Sequence, residues 1–305
     1  MEFKKIALIG AGAVGAYFIY GFSELQGVDF CLVAEGERAD RLRNDGVCIN
    51  DKIYHPAVLN AGQAHGADLV LVCTKYDGLP EAIDLVEQIV DGHTTVMSLL
   101  NGIDSEELIA ERIGSQHLLY SVMRISSERR NGQIHFVRET TIGVAVGEKG
   151  SPIISEREQA FIDLMHRANL KVIPMKDILL DQWSKYSMNI IYNLPQAILG
   201  VGFGAYYDSE YVAGIRDRMF EEVCWVAKAE GVALSQQGDW RSACVPAARF
   251  STLQDLDAGR HTEVEMFAGT LVRLARKHGL EAPFCEFAYM AIKALEEKGD
   301  GRFEY

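Results

Sequence analysis

Lys185, Asn189 and Asn193 recur every fourth residue in the run Gln182-Trp-Ser-Lys185-Tyr-Ser-Met-Asn189-Ile-Ile-Tyr-Asn193. On a helix this spacing sets one ammonium and two carboxamides along a single face, spanning about 12 Å. A lysine so placed can give a proton to an oxygen that is gaining negative charge. Carboxamides can orient hydroxyl and carboxylate groups without adding charge. Asparagine is a mediocre helix former, so two on one stripe call for an explanation. Pattern alone leaves that explanation open between a pocket lining and a solvated face. Ser251 and the cluster Arg260-His-Thr-Glu263 fall in a later helical pattern and are open in the same way.

A second chemistry is written near the start. Gly10-Ala11-Gly12-Ala13-Val14-Gly15 follows the β-rich run Lys5–Ile9 and opens a helical stretch. In that context the first glycine permits a tight turn and the second lets a pyrophosphate approach the backbone. The third allows close helix–strand packing, and the helix start supplies amides and a positive dipole end. Glu35 lies 20 residues beyond Gly15, at the end of the second strand pattern. An acid there accepts hydrogen bonds from ribose hydroxyls and repels a 2′-phosphate, which favours NAD(H) over NADP(H). Arg38, Arg41 and Arg43 are close enough to complicate that reading. Lys75 and Asn101 each follow an apolar strand pattern, the side of an open α/β sheet where ligands lie.

The elements that must position these residues follow from periodicity. Up to about residue 175, short apolar runs such as Asp68–Thr74 and Thr94–Leu100 alternate with helical patterns, predicting a parallel sheet with helices on both faces. Asn131-Gly132 predicts a hairpin turn between two strands. Beyond Met175 long helices are predicted over 178–199, 216–230, 245–278 and 283–298. Gly231 and Gly279 stand at their C-terminal ends.

Composition narrows the partners. The 305 residues are 48% hydrophobic and 24% charged, as in a globular protein, and a net charge of −13 argues against nucleic-acid or anionic-membrane binding. The apolar run Ile6–Phe22 has the look of a leader or anchor, but Gly10, Gly12, Gly15 and Gly21 interrupt it. Six scattered cysteines, with no CxxC, read as reduced thiols of a cytoplasmic protein rather than disulfides. No histidine spacing indicates a metal site. Paired exposed helices are compatible with a homodimer.

Together these stretches resemble the ketopantoate reductase (2-dehydropantoate 2-reductase) family. The resemblance rests on GAGAVG at 10–15, CTK at 73–75, LNG at 100–102, WSKYSMNIIYN at 183–193 and FSTLQD…GRHTEVE at 250–265, and extends over essentially the whole chain. It implies a Rossmann-like doubly wound α/β domain, 1–175, and an all-α C-terminal domain of the 6-phosphogluconate dehydrogenase type, 176–305, carrying substrate and catalysis. Lys185 is then the general acid of carbonyl reduction and contacts substrate, with Glu263 beside it at nicotinamide and substrate. Asn101, Asn189, Asn193 and Ser251 match positions that hold substrate or cofactor, and Lys75 matches one lining the cofactor site. The reaction implied is NAD(P)H-dependent reduction of 2-dehydropantoate in pantothenate synthesis. Another small 2-oxo acid is the alternative, and a dinucleotide sensor without turnover is a third reading. Two departures bear on this. The asparagine that the family carries about ten residues beyond the catalytic helix is absent from Ile198–Tyr207. Glu35 also stands where NADP-using relatives carry an arginine.

Overall fold

The computed structural model describes residues 1–125, 127–130, 132–235 and 245–303. It divides into two compact units, Met1–Asp181 and Gln182–Tyr305.

The first unit opens with β1 (Lys5–Ile9), α1 (Ala13–Phe22), β2 (Asp29–Val33) and α2 (Gly36–Asp45). A hairpin of β3 (Val47–Ile49) and β4 (Lys52–Tyr54) follows, then β5 (Ala57–Leu59), β6 (Leu69–Val72), α3 (Leu79–Ile89), β7 (Thr95–Ser98) and α4 (Ser105–Ile113). The five strands of the main sheet are all parallel, in the order β5-β2-β1-β6-β7. Counted within that sheet this is the 3-2-1-4-5 winding, which reverses between β1 and β6 and opens a crevice at their carboxyl ends. Ile6 and Leu8 pack into one apolar layer with Tyr17 and Phe18, while Ala7 and Ile9 pack into the other with Val70 and Val72. Burial of both faces explains why β6 reads as an unbroken apolar run. The glycine-interrupted run near the start is thus a strand and a ten-residue helix. No helix among the described residues is long and apolar enough to cross a membrane.

The rest of this unit is β8 (Tyr120–Arg124), β9 (Ser127–Arg130), β10 (Gln133–Phe136), β11 (Gly143–Gly147), α5 (Glu156–Arg167) and β12 (Val172–Pro174). β9 and β10 pair antiparallel, and of the turn between them Asn131 lies outside the described residues. The β3–β4 turn uses Asn50 and Asp51 at φ 47° and 66°, the left-handed pair that a two-residue hairpin favours.

α6 (Ile178–Met188) leads into the second unit, followed by α7 (Leu194–Leu199), α8 (Ala205–Asp208), α9 (Glu210–Ala229), α10 (Ser251–Asp257), α11 (Thr270–Lys277) and α12 (Pro283–Gly299). Two of the long helices expected from sequence are broken. A π-turn at Asn189–Asn193 separates α6 from α7. In place of one helix over 245–278 there is α10, a bend, a second π-turn at Glu265–Gly269 and α11. Glu222, buried on α9, accepts the amides of Phe284 and Cys285 and so caps α12 from across the bundle. Cys31, Cys48, Cys73, Cys224 and Cys285 are free thiols, and Cys244 lies outside the described residues.

Candidate active site

Gly10, Gly12 and Gly15 lie at the carboxyl end of β1, and each lacks a side chain for a different reason. Gly10 has φ +103°, and a Cβ there would stand 2.5 Å from the carbonyl oxygen of Cys73. A Cβ on Gly15 would come within 2.0 Å of the Gly10 carbonyl oxygen. These two are demanded by the protein's own packing. At Gly12 a Cβ would meet nothing within 4 Å, so the space beside the start of α1 is open. Gly12 caps that helix without a side-chain bond, and its first turn holds no acid. Open space, helix amides and the dipole end suit the diphosphate of a dinucleotide. The Thr74 hydroxyl oxygen, after β6, is buried without a hydrogen-bond partner. The residues present therefore fit the diphosphate of a dinucleotide.

Lys75 is exposed just beyond Thr74, and Asn101 is half-buried after β7 with Gly102 at φ +97°. Glu35 does not end the strand, as the sequence suggested: β2 stops at Val33, and Glu35 is the exposed N-cap of α2. It still lies beyond the carboxyl end of β2, with Arg38 exposed in the first turn that follows.

In the second unit, half-buried Lys185 and Asn189 precede Asn193, which is 6% exposed. The Asn193 Nδ2 lies 3.5 Å from Asn189 Oδ1 and 3.4 Å from the Ser251 hydroxyl. Three of the residues singled out in the sequence thus meet. Asn193 closes the π-turn because of what comes next. Pro195 has no amide to offer the Ile191 carbonyl, and its ring would crowd that carbonyl in a regular α-helix. The buried Tyr206 hydroxyl opens the next rung of the ladder: it donates to the Tyr192 carbonyl and takes the backbone amide of Gln196, the pair that a regular helix would bond directly. Burial pushes its pKa up, so it stays a neutral donor. A side chain inserted in the ladder is a recognised cause of such a break.

Glu263 is half-buried on the bend before the second π-turn rather than within a helix. Its carbonyl accepts the Phe267 amide at 3.1 Å, and the Phe267 carbonyl accepts the buried Tyr186 hydroxyl at 2.6 Å. Two hydrogen bonds therefore tie the backbone at Glu263 to the neighbour of Lys185. From α12, Glu296, whose side chain is 1% exposed, accepts the amide and the hydroxyl of Thr262, both at 2.7 Å, and the Lys293 ammonium at 2.6 Å. Burial opposes ionisation of Glu296, but these donors outweigh it and hold its carboxyl below the ordinary value. Sequence reasoning missed Glu296, Tyr206 and Gln196. The one signal available for the last two was Pro195 inside an otherwise helical run. Among the described residues no cluster of His, Cys, Asp and Glu could hold a metal.

The family description "Ketopantoate reductase PanE/ApbA" matches residues 6–148, and its C-terminal counterpart matches residues 177–296. The chain belongs to the ketopantoate reductase family. As a member it is an oxidoreductase with a Rossmann-like domain followed by a helical one. It is 27% identical to the 2-dehydropantoate 2-reductase of Pyrococcus horikoshii, over 97% of this chain and 99% of that protein. A PanE/ApbA family ketopantoate reductase structure from Ralstonia eutropha superposes with a TM-score of 0.79 at 23% identity, covering 97% of this chain and 99% of the other. D-Mandelate dehydrogenase, in ternary complex with NADH and anilino(oxo)acetate, superposes at 0.78 and 19%, covering 97% and 99%. At those identities the two structures speak for the fold of this family member alone.

Proposed function

We propose that this ketopantoate reductase family member reduces 2-dehydropantoate to pantoate, with NADH preferred over NADPH. The first unit serves as the dinucleotide-binding domain and the second carries the catalytic and substrate residues. The observation that carries the reading is the meeting of Asn189, Asn193 and Ser251 on the unit that also holds Lys185. Gly10 to Gly15 cradle the diphosphate, Glu35 accepts the ribose hydroxyls, and Lys75 and Asn101 line the same side. When bound, the nicotinamide supplies the hydride. Lys185 then protonates the oxygen that hydride addition leaves negative, and Glu263 orients the lysine and the nicotinamide ribose. Asn189, Asn193 and Ser251 hold the acid's polar groups with neutral donors and acceptors, so Lys185 remains the charge that answers the developing alkoxide.

A second reading keeps this machinery with a different 2-oxo acid. It is favoured by Phe203, which is 2% exposed and packs on Phe250 with ring centroids 5.6 Å apart, directly before Ser251. The stretch around Phe203 is where the family's further asparagine is missing. Mandelate dehydrogenase, a structural relative, acts on an acid with an aromatic substituent. Following NADH oxidation with 2-dehydropantoate, pyruvate, branched 2-oxo acids and phenylglyoxylate separates the readings by which acid gives the highest kcat/KM.

A further inference from the structure

Residues 245–250, which deliver Ser251, belong to no helix or strand. Their backbone must be fixed by other groups, and the bonds converge from one direction. The Phe203 amide donates to the Ala248 carbonyl at 3.0 Å, and the Gly204 amide donates to the Pro246 carbonyl at 2.8 Å. The third anchor is a side chain. Gln196 is wholly buried; its Nε2 donates to the Ala248 carbonyl at 2.9 Å, and its Oε1 accepts the Phe250 amide at 2.6 Å. A buried carboxamide with donor and acceptor both spent on one segment is costly to misplace, because any shift leaves polar groups unpaired. Gln196 also stands three residues after Asn193, on the next turn of the same helical stretch. It thereby registers α10, which begins at Ser251, to the turn that carries Asn193.

We infer that Gln196 is a positioning residue of the substrate site: it sets Ser251 against Asn193 without touching substrate itself. This rests on the reading of Asn193 and Ser251 as substrate-holding. The Gln196 side chain bonds the backbone on both sides of Arg249. Loss of the bridge frees the Ser251 hydroxyl from its 3.4 Å relation to Asn193 while the helices on either side stay intact.

Two variants test it. Gln196→Met keeps the volume and removes both bonds; KM for the preferred 2-oxo acid should rise about tenfold or more, with kcat little changed. In Gln196→Glu the introduced carboxyl, when protonated, can still donate to Ala248 and accept from Phe250. Ionised, it loses the donor and turns a charge on a carbonyl. Its KM relative to wild type should therefore be near one at the acid end of the assay range and climb with pH towards the Gln196→Met value. A purely structural role would lower the concentration of folded enzyme, and so kcat, leaving KM and its pH profile as in wild type. A Gln196→Met KM within about twofold of wild type overturns the proposal. Should the wild type reduce no 2-oxo acid, the functional reading fails, and the anchor is then read on the Phe250 amide. Faster hydrogen exchange there in Gln196→Met supports the anchor, and unchanged exchange overturns it.

Discussion

The hydroxyl of Tyr186, a residue 1% exposed, donates to the carbonyl of Phe267 at 2.6 Å across 81 residues of chain. Tyr186 follows Lys185, and the Phe267 amide holds the Glu263 carbonyl, so this bond fixes the relation between the proposed acid and its companion. Tyr186→Phe removes one donor from a buried carbonyl that also accepts the Thr270 amide. Stability should fall by about 0.5–1.5 kcal/mol, seen in urea midpoints, and kcat should fall with it. An unchanged midpoint and kcat would show that the bond matters to neither.

Asn193 meets both Asn189 and Ser251 while almost wholly buried. Asn193→Ala should weaken a bound 2-hydroxy acid by about 1–3 kcal/mol, measured calorimetrically on the enzyme with oxidised nucleotide. Binding as tight as in wild type would remove Asn193 from the substrate site.

Glu296 gives a pH dependence with a definite sign. Its folded pKa lies below the ordinary carboxylate value, because the Lys293 and Thr262 bonds outweigh burial. The stabilisation is thus complete above the unfolded value of about 4.3 and is lost as pH falls through the folded pKa. Glu296→Gln should melt below wild type at neutral pH, and the gap should narrow in acid. A gap that widens as pH falls would contradict the sign.

Cofactor choice turns on Glu35, exposed at the N-cap of α2. A carboxylate there accepts ribose hydroxyls and repels a 2′-phosphate, so kcat/KM for NADH should exceed that for NADPH by at least about tenfold, or 1.4 kcal/mol. Glu35→Arg should reduce or reverse the ratio. Preference of the wild type for NADPH would mean that Arg38 or a neighbour reads the phosphate.

The parallel sheet was legible because burial on both faces writes itself as short apolar runs, as at Leu69–Val72, and because the glycine spacing sits between a strand and a helix. The second unit was legible as helical but not in its breaks. A π-turn and an α-helix bury nearly the same face, so Ile190, Ile191 and Tyr192 carry no mark of which they form. The break at Asn189–Asn193 depends on Pro195 nearby and on Tyr206, which reaches back from another element. The roles proposed for Glu263 and Ser251 come from the resemblance, whereas the groups that hold their segments, Glu296 and Gln196, act through long-range bonds that no local pattern records. Glu35 was read one element too early, since strand ends blur by a residue or two.

The central claim is that Lys185 protonates a 2-oxo acid reduced by NADH. Its most direct test is the single-turnover rate of NADH oxidation, with the preferred 2-oxo acid saturating, in wild type and in a folded Lys185→Ala variant. The account predicts a loss of about 10²–10⁴-fold in the variant, the usual range for a missing general acid, with NADH binding unchanged. A variant that oxidises NADH at close to the wild-type rate would contradict it.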